Sequence, residues 1–240
     1  MLMGWCNTDM VEDLFGWDEV AAAYAGRFSD ELDAKPFDRK LLDWLVERAD
    51  PIGPICDLGC GPGQVAAYVH ARGGKACGID LSHEMVQHAA TSNPDISFQV
   101  GDMCDLADIE AGAFGGIASF YSIVNLPPTD HARAFAEMRR TLRPGGWLLL
   151  SFHIGDEVRH VEEFLGERVR LDFHFFRPED VRSRLQSVGL EVVENIQRGP
   201  YPEPIEAQTD RAYLFATTQS DDRSRVSGET TRPEESPGRQ

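Results

Sequence analysis

DLGCGPG at residues 57–63 lies between a short apolar run, Pro54-Ile55-Cys56, and a segment of helical character over residues 64–70. These read in order as a buried strand, a glycine-dense turn and a helix. Gly59, Gly61 and Gly63 carry no Cβ, so a ligand can lie against bare backbone there. The free N–H groups and positive dipole end of the following helix favour a carboxylate, a ribose or a phosphate at the same place. The spacing is GxGxG, with Gln64 next, whereas a dinucleotide fingerprint reads GxGxxG. Asp57, two residues before the first glycine, is placed to pair with an ammonium group.

Outward from this turn, strand and helix alternate. Residues 75–80 predict a second strand ending in Asp80, and Ser82 caps the helix after it. Residues 96–102 predict a third strand ending in Asp102, with Met103 following. Residues 117–124 predict a fourth strand, and a helix beginning at Thr129 or Asp130 is stopped by Arg143-Pro144-Gly145-Gly146. Residues 147–153 predict a fifth strand. Strands apolar on both faces and separated by helices imply a parallel sheet covered on both sides, a Rossmann-like doubly wound α/β fold. Two further strands, 190–196 and 211–217, are joined by too short a linker for a helical crossover and are expected to pair antiparallel.

Organisation follows from the same pattern. Residues 1–17 are expected to be an extension outside the core, and 18–218 one domain. Its helices over 18–50 precede the first strand and can cover the ligand mouth. They can deliver Tyr24, Arg27, Lys35 and Arg39 to an anionic ligand group. Residues 156–176 alternate on either side of Gly166 and predict a two-stranded flap. Residues 219–240 are rich in Ser, Arg, Glu, Pro and Gly and are expected to be a disordered tail.

A formal net charge of -17 repels nucleic acid over most of the surface, so no nucleic-acid partner is expected. No apolar run approaches the roughly 20 residues that span a bilayer, so no membrane partner is expected. Five cysteines without CxxC spacing read as reduced thiols of a cytoplasmic protein rather than as a metal or redox site.

DLGCGPG, the Gly78-Ile79-Asp80 strand end, Gly101-Asp102-Met103, residues 120–128 and LRPGGWLLL at 142–150 occur in the order of the class I S-adenosylmethionine-dependent methyltransferase motifs, and the chain resembles that family. The resemblance implies a seven-stranded sheet in the order 3-2-1-4-5-7-6 with the seventh strand reversed, and S-adenosylmethionine as cofactor. It further implies that Asp57, Gly59, Gly61 and Gly63 hold the methionine end, Asp80 the ribose, and Asp102 and Met103 the adenine. Leu81 and Ser119 are expected beside the cofactor as well. Many relatives carry Phe-Asp before the fourth strand, where this chain has Phe114-Gly115.

Methyl transfer needs an acceptor about 3 to 3.5 Å from the methyl carbon and opposite the sulfur. Tyr121, Asn125, His153, His174 and Phe176 are the residues expected on that side, with His153 and Tyr121 as catalytic candidates and a small molecule as substrate. The alternatives are a cofactor-binding module without turnover and an NAD(P)-linked oxidoreductase. The oxidoreductase lacks its TyrxxxLys pair after the fourth strand.

Overall fold

The computed structural model describes residues 9–219, with side chains from residue 16 onward. The expected tail beyond residue 219 lies outside the described residues. Seven strands form one sheet: β1 (Ile55–Leu58), β2 (Ala76–Asp80), β3 (Ser97–Val100), β4 (Phe114–Phe120), β5 (Leu142–His153), β8 (Leu190–Arg198) and β9 (Arg211–Thr218). Their spatial order is β3-β2-β1-β4-β5-β9-β8. The first five are parallel, while β9 runs antiparallel to both β5 and β8. This is the expected topology. The order in which strands are added to the sheet reverses between β1 and β4, which opens a crevice at the carboxyl ends of the parallel strands.

Side-chain alternation in β5 and β9 separates two cores. Leu148, Leu150, Phe152, Leu214 and Ala216 pack against α5 (His131–Thr141) and α6 (Pro178–Ser187). Leu149, Tyr213 and Phe215 pack on the opposite face against α2 (Pro36–Ala49) and α3 (Gln64–Ala71). The remaining helices are α1 (Asp9–Phe28) and α4 (His83–Ser92). Ser82 caps α4 as expected, accepting from Met85 N at 3.1 Å.

Three expectations are corrected. Helix α1 begins at Asp9 rather than at residue 18, and Gly16 and Trp17 belong to the packed fold. A Cβ on Gly16 would lie 2.8 Å from Leu171 Cδ2, so glycine there lets the flap approach α1. Strand β4 starts at Phe114 and ends at Phe120, because Tyr121 takes φ 53° and residues Ile123–Asn125 form a short 3-10 turn. The Pro-Gly-Gly segment opens β5 instead of standing outside it: Thr218 Oγ1 donates to Arg143 O at 2.7 Å and accepts from Gly146 N at 3.1 Å. The glycine at 115, where the resemblance leads one to expect an acid, is explained by packing. A Cβ there would lie 2.2 Å from Gly53 N and 2.5 Å from Ala49 O.

The flap is a separate hairpin of β6 (Val158–Phe164) and β7 (Glu167–His174), turned through Leu165 (φ 54°) and Gly166 (φ 87°). Two successive residues with positive φ make the tight turn whose twist matches a hairpin. Val169 and Leu171 of β7, Val20 and Ala21 of α1 and Met85 of α4 form a third apolar cluster. It fastens α1 and the flap together over the carboxyl edge of the sheet.

Candidate active site

The turn after β1 is tied to β2, since Gly59 N and Cys60 N both donate to Ile79 O, at 2.7 and 3.1 Å. Its three glycines serve different purposes. A Cβ on Gly59 would sit 2.2 Å from Ser122 Cβ, and one on Gly63 would sit 2.9 Å from Phe98 Cζ. Both positions are filled by the protein itself, so the expectation that all three expose backbone to a ligand is corrected. Gly61, at φ 51°, faces room: a Cβ there meets only Tyr24 Cε1, at 3.9 Å.

Three carboxylates stand at this edge: Asp57 within β1, Asp80 at the end of β2, and Asp102 just past β3, which stops at Val100 rather than at Asp102 as expected. Asp57 is 3% exposed and accepts one hydrogen bond, from Ala66 N to Oδ2 at 3.0 Å. Burial, with a smaller contribution from the Asp80 charge, pushes its pKa up to about 8 against the effect of that bond. Asp80 accepts from Gly61 N at 2.8 Å and from Ser82 N at 2.9 Å, and burial raises its pKa as well. Asp102 accepts from Cys104 N at 2.8 Å, and the Met103 methyl reaches to 3.3 Å from the Cβ position of Gly59. Beside them Gln64 donates from Nε2 to Glu31 at 3.0 Å, and its Oε1 is buried without a partner. Leu81 is exposed at the rim. Ser119 is sealed in the sheet: Ser122 Oγ donates to Leu58 O at 2.9 Å, so Ser119 Oγ donates to Ser122. It braces the turn from behind rather than lining the site.

These groups suit the amino-acid end of S-adenosylmethionine. A buried carboxyl with no ion-pair partner among the described residues lacks a cation, and an orphaned amide oxygen lacks a donor. An ammonium group supplies both, beside a backbone turn left open at Gly61.

Aromatic rings cover the turn. Trp17 meets Tyr24, Phe173 and Phe164 edge-on at 5.6, 6.1 and 6.2 Å, and Phe164 lies 5.8 Å from Phe173. Asp18 locks α1 to the start of α4 by accepting from Ser82 Oγ and from Glu84 N. Of the cations expected to reach a ligand carboxylate, Arg27 donates to Pro204 O at 2.7 Å and Arg39 to Leu32 O at 2.7 Å. Lys35 pairs with Glu31 and lies 5.9 Å over the Tyr121 ring. All three already have partners in the fold.

On the other side of Tyr121, His153 leaves β5 as expected. Its ring lies 5.1 Å from Tyr121 and stacks at 5.2 Å on Phe175, and its Nδ1 is 2.8 Å from Thr209 Oγ1. Burial, then the positive charge of Arg211, lowers its pKa to about 3, so the imidazole is neutral and a weak base. Asn125 Oδ1 is buried and unpartnered. His174 stacks parallel to Phe176 at 6.2 Å. Phe176 itself is buried against His131 and Phe152, so the expected pocket residue is part of the core.

Sequence reasoning missed a second cluster here. Asp38, Arg198, Glu206, Arg211 and Tyr213 come from α2, β8, the following loop and β9 into one nearly dry network. Arg198 pairs with Asp38 at 3.0 Å and with Glu206, and its guanidinium lies 4.3 Å from the Tyr201 ring. The available signal was an acid set on the apolar face of α2, between Phe37 and Leu41.

Residues 55–146 match the methyltransferase domain family. Among curated relatives, a ubiquinone biosynthesis O-methyltransferase of Xanthomonas axonopodis pv. citri is 32% identical over 116 residues, 46% of this chain and 47% of that protein. A trans-aconitate 2-methyltransferase of Rhizobium meliloti is 35% identical over 146 residues, 59% of this chain and 52% of that protein. The alignments thus span about half the length of each of these two relatives. A solved S-adenosylmethionine-dependent methyltransferase of Methanosarcina mazei shares the fold, with a TM-score of 0.63 at 16% identity over 70% of this chain and 93% of that one.

Proposed function

With residues 55–146 forming a class I S-adenosylmethionine-dependent methyltransferase domain, we propose that the protein transfers a methyl group to a small-molecule acceptor. The observation that carries this reading is Asp57, a buried carboxyl without a cation beside the open turn at Gly61. S-adenosylmethionine supplies a methyl on a positively charged sulfur, which an acceptor displaces in line. Asp57 and Gln64 Oε1 hold the ammonium of the methionine end. Asp80, fixed by Gly61 N and Ser82 N, takes the ribose hydroxyls. Asp102 and Met103 take the adenine.

The lid of Trp17, Tyr24, Phe164 and Phe173 excludes water, and its ring faces favour positive charge. Tyr121, His153 and Asn125 face the acceptor. A compact aromatic cover and a net charge of -17 favour a small molecule over nucleic acid. The four described cysteines are free thiols, in keeping with a reducing compartment, and we place the protein in the cytoplasm. No described helix is long and apolar enough to cross a membrane.

Equilibrium binding of labelled S-adenosylmethionine, competed by S-adenosylhomocysteine, tests the reading. Micromolar binding followed by label appearing in a small-molecule fraction supports it, and no binding at that level ends it.

A further inference from the structure

Asp38, Tyr121, Arg198 and Tyr213 share one hydrogen-bonded chain beside the end of β4. Tyr213 Oη donates to Asp38 Oδ1 at 2.8 Å, and Arg198 Nε donates to Tyr213 Oη at 3.1 Å. The two phenol oxygens lie 3.0 Å apart. A phenol has one proton to donate. Tyr213 gives its proton to the carboxylate, so the bond between the phenols is donated by Tyr121. That leaves Tyr121 Oη with lone pairs to which no described group donates. Tyr213 is fully buried, whereas Tyr121 keeps part of its surface.

The charges around Tyr121 are matched. Lys35 pairs with Glu31, Arg198 with Asp38 and Glu206, and Arg211 with Glu206, so none of these three cations stands ready for an ionic acceptor. The wall is flat and aromatic, formed by Tyr121, His153 and Phe175 in succession. His153, neutral and weakly basic, is a poor proton sink, whereas burial raises the affinity of Asp38 for a proton against the pull of Tyr213, Arg198 and Lys35.

We infer that the methyl acceptor is a neutral hydroxyl on a compact flat body, in effect a phenol, which donates to Tyr121 Oη and loses its proton along Tyr121, Tyr213 and Asp38. The inference rests on the methyl-transfer reading above. The acceptor proton goes to Tyr121 Oη, the Tyr121 proton to Tyr213 Oη, and the Tyr213 proton to Asp38, which ends as a carboxylic acid. The acceptor oxygen keeps the electron pair of its O–H bond and bonds the methyl carbon, while the pair of the broken carbon–sulfur bond stays on sulfur. Tyr121 is the catalytic residue of this scheme; Tyr213, Asp38 and Arg198 are positioning residues.

The test is methyl transfer from labelled S-adenosylmethionine to phenols of graded acidity, by the wild-type protein and by Tyr213→Phe, which keeps the ring and removes the relay. We expect Tyr213→Phe to lose about 10²-fold in kcat on weakly acidic phenols. On 4-nitrophenol, acidic enough to be partly ionised at neutral pH, the loss should be small, with cofactor affinity unchanged. Equal loss across the series, no loss on any phenol, or a wild-type protein that binds cofactor but methylates none of them overturns the inference. A readout without turnover uses 4-nitrophenol bound beside S-adenosylhomocysteine, at a pH below its free midpoint. The wild-type complex is expected to show the yellow anion and Tyr213→Phe the colourless phenol; matching colour in both overturns the inference. If the protein binds no cofactor, the methyl-transfer reading fails and the inference with it; failure confined to the acidity dependence removes the inference alone.

Discussion

The two ends of the carboxyl edge of the sheet are built on opposite electrostatic plans. Around the turn after β1, Asp57 is buried and Asp80 half-buried, each with backbone donors and no cation, so each holds its proton more tightly than a free carboxyl. Around Tyr121, three cations and three carboxylates are paired with one another inside the fold. The first end is left incomplete in a way that a positively charged ligand completes. The second is complete without one, and offers an outside molecule ring faces and a phenol oxygen.

The contrast breaks most visibly when one charge is removed from each end. Arg198→Ala leaves Asp38 buried without its ion-pair partner and Glu206 with Arg211 alone, and should cost about 3 to 5 kcal/mol in denaturant unfolding. Asp57→Asn replaces a carboxyl that had no cation to lose, and should leave the ligand-free protein as stable or more so at neutral pH. A similar loss in both variants would erase the distinction. The second effect is on affinity. Asp57→Asn should weaken S-adenosylmethionine binding by about 2 to 3 kcal/mol, the scale of a hydrogen bond to a charged group, and unchanged affinity in a titration would remove Asp57 from the site.

The third effect is a slope, small over any one pH unit. A carboxyl whose folded pKa is raised above its unfolded value of about 4 holds a proton that the unfolded chain has released. Stability of the ligand-free protein should therefore fall as pH rises from about 4 toward 8, by at most about 1.4 kcal/mol per pH unit from Asp57. The slope should be shallower in Asp57→Asn. Unfolding midpoints across that range check it, and a slope equal in both proteins would contradict the assignment.

How far each end could be read in the sequence follows from how it is built. The turn, its acid and the strand-end acids lie within short contiguous stretches, and the parallel sheet is written in apolar runs separated by helices. What a local pattern does not carry is the reason for a glycine: Gly59 and Gly63 are shaped by Ser122 and Phe98, residues brought near only by folding. The Tyr121 network is less legible still. Asp38 and Arg198 stand 160 positions apart, and each sits in a stretch that reads as an ordinary helix face or strand end. Trp17 was obscured by its place before the first recognisable helix pattern, although the flap packs directly on it.

Proton uptake or release on cofactor binding tests the central claim most directly. Calorimetric titration of S-adenosylmethionine near pH 7, in two buffers of different ionisation enthalpy, counts the protons exchanged. If Asp57 is protonated in the free protein and ionises to receive the ammonium, close to one proton should be released by the wild-type protein and almost none by Asp57→Asn. Tight binding by the wild-type protein with no buffer dependence would contradict the account.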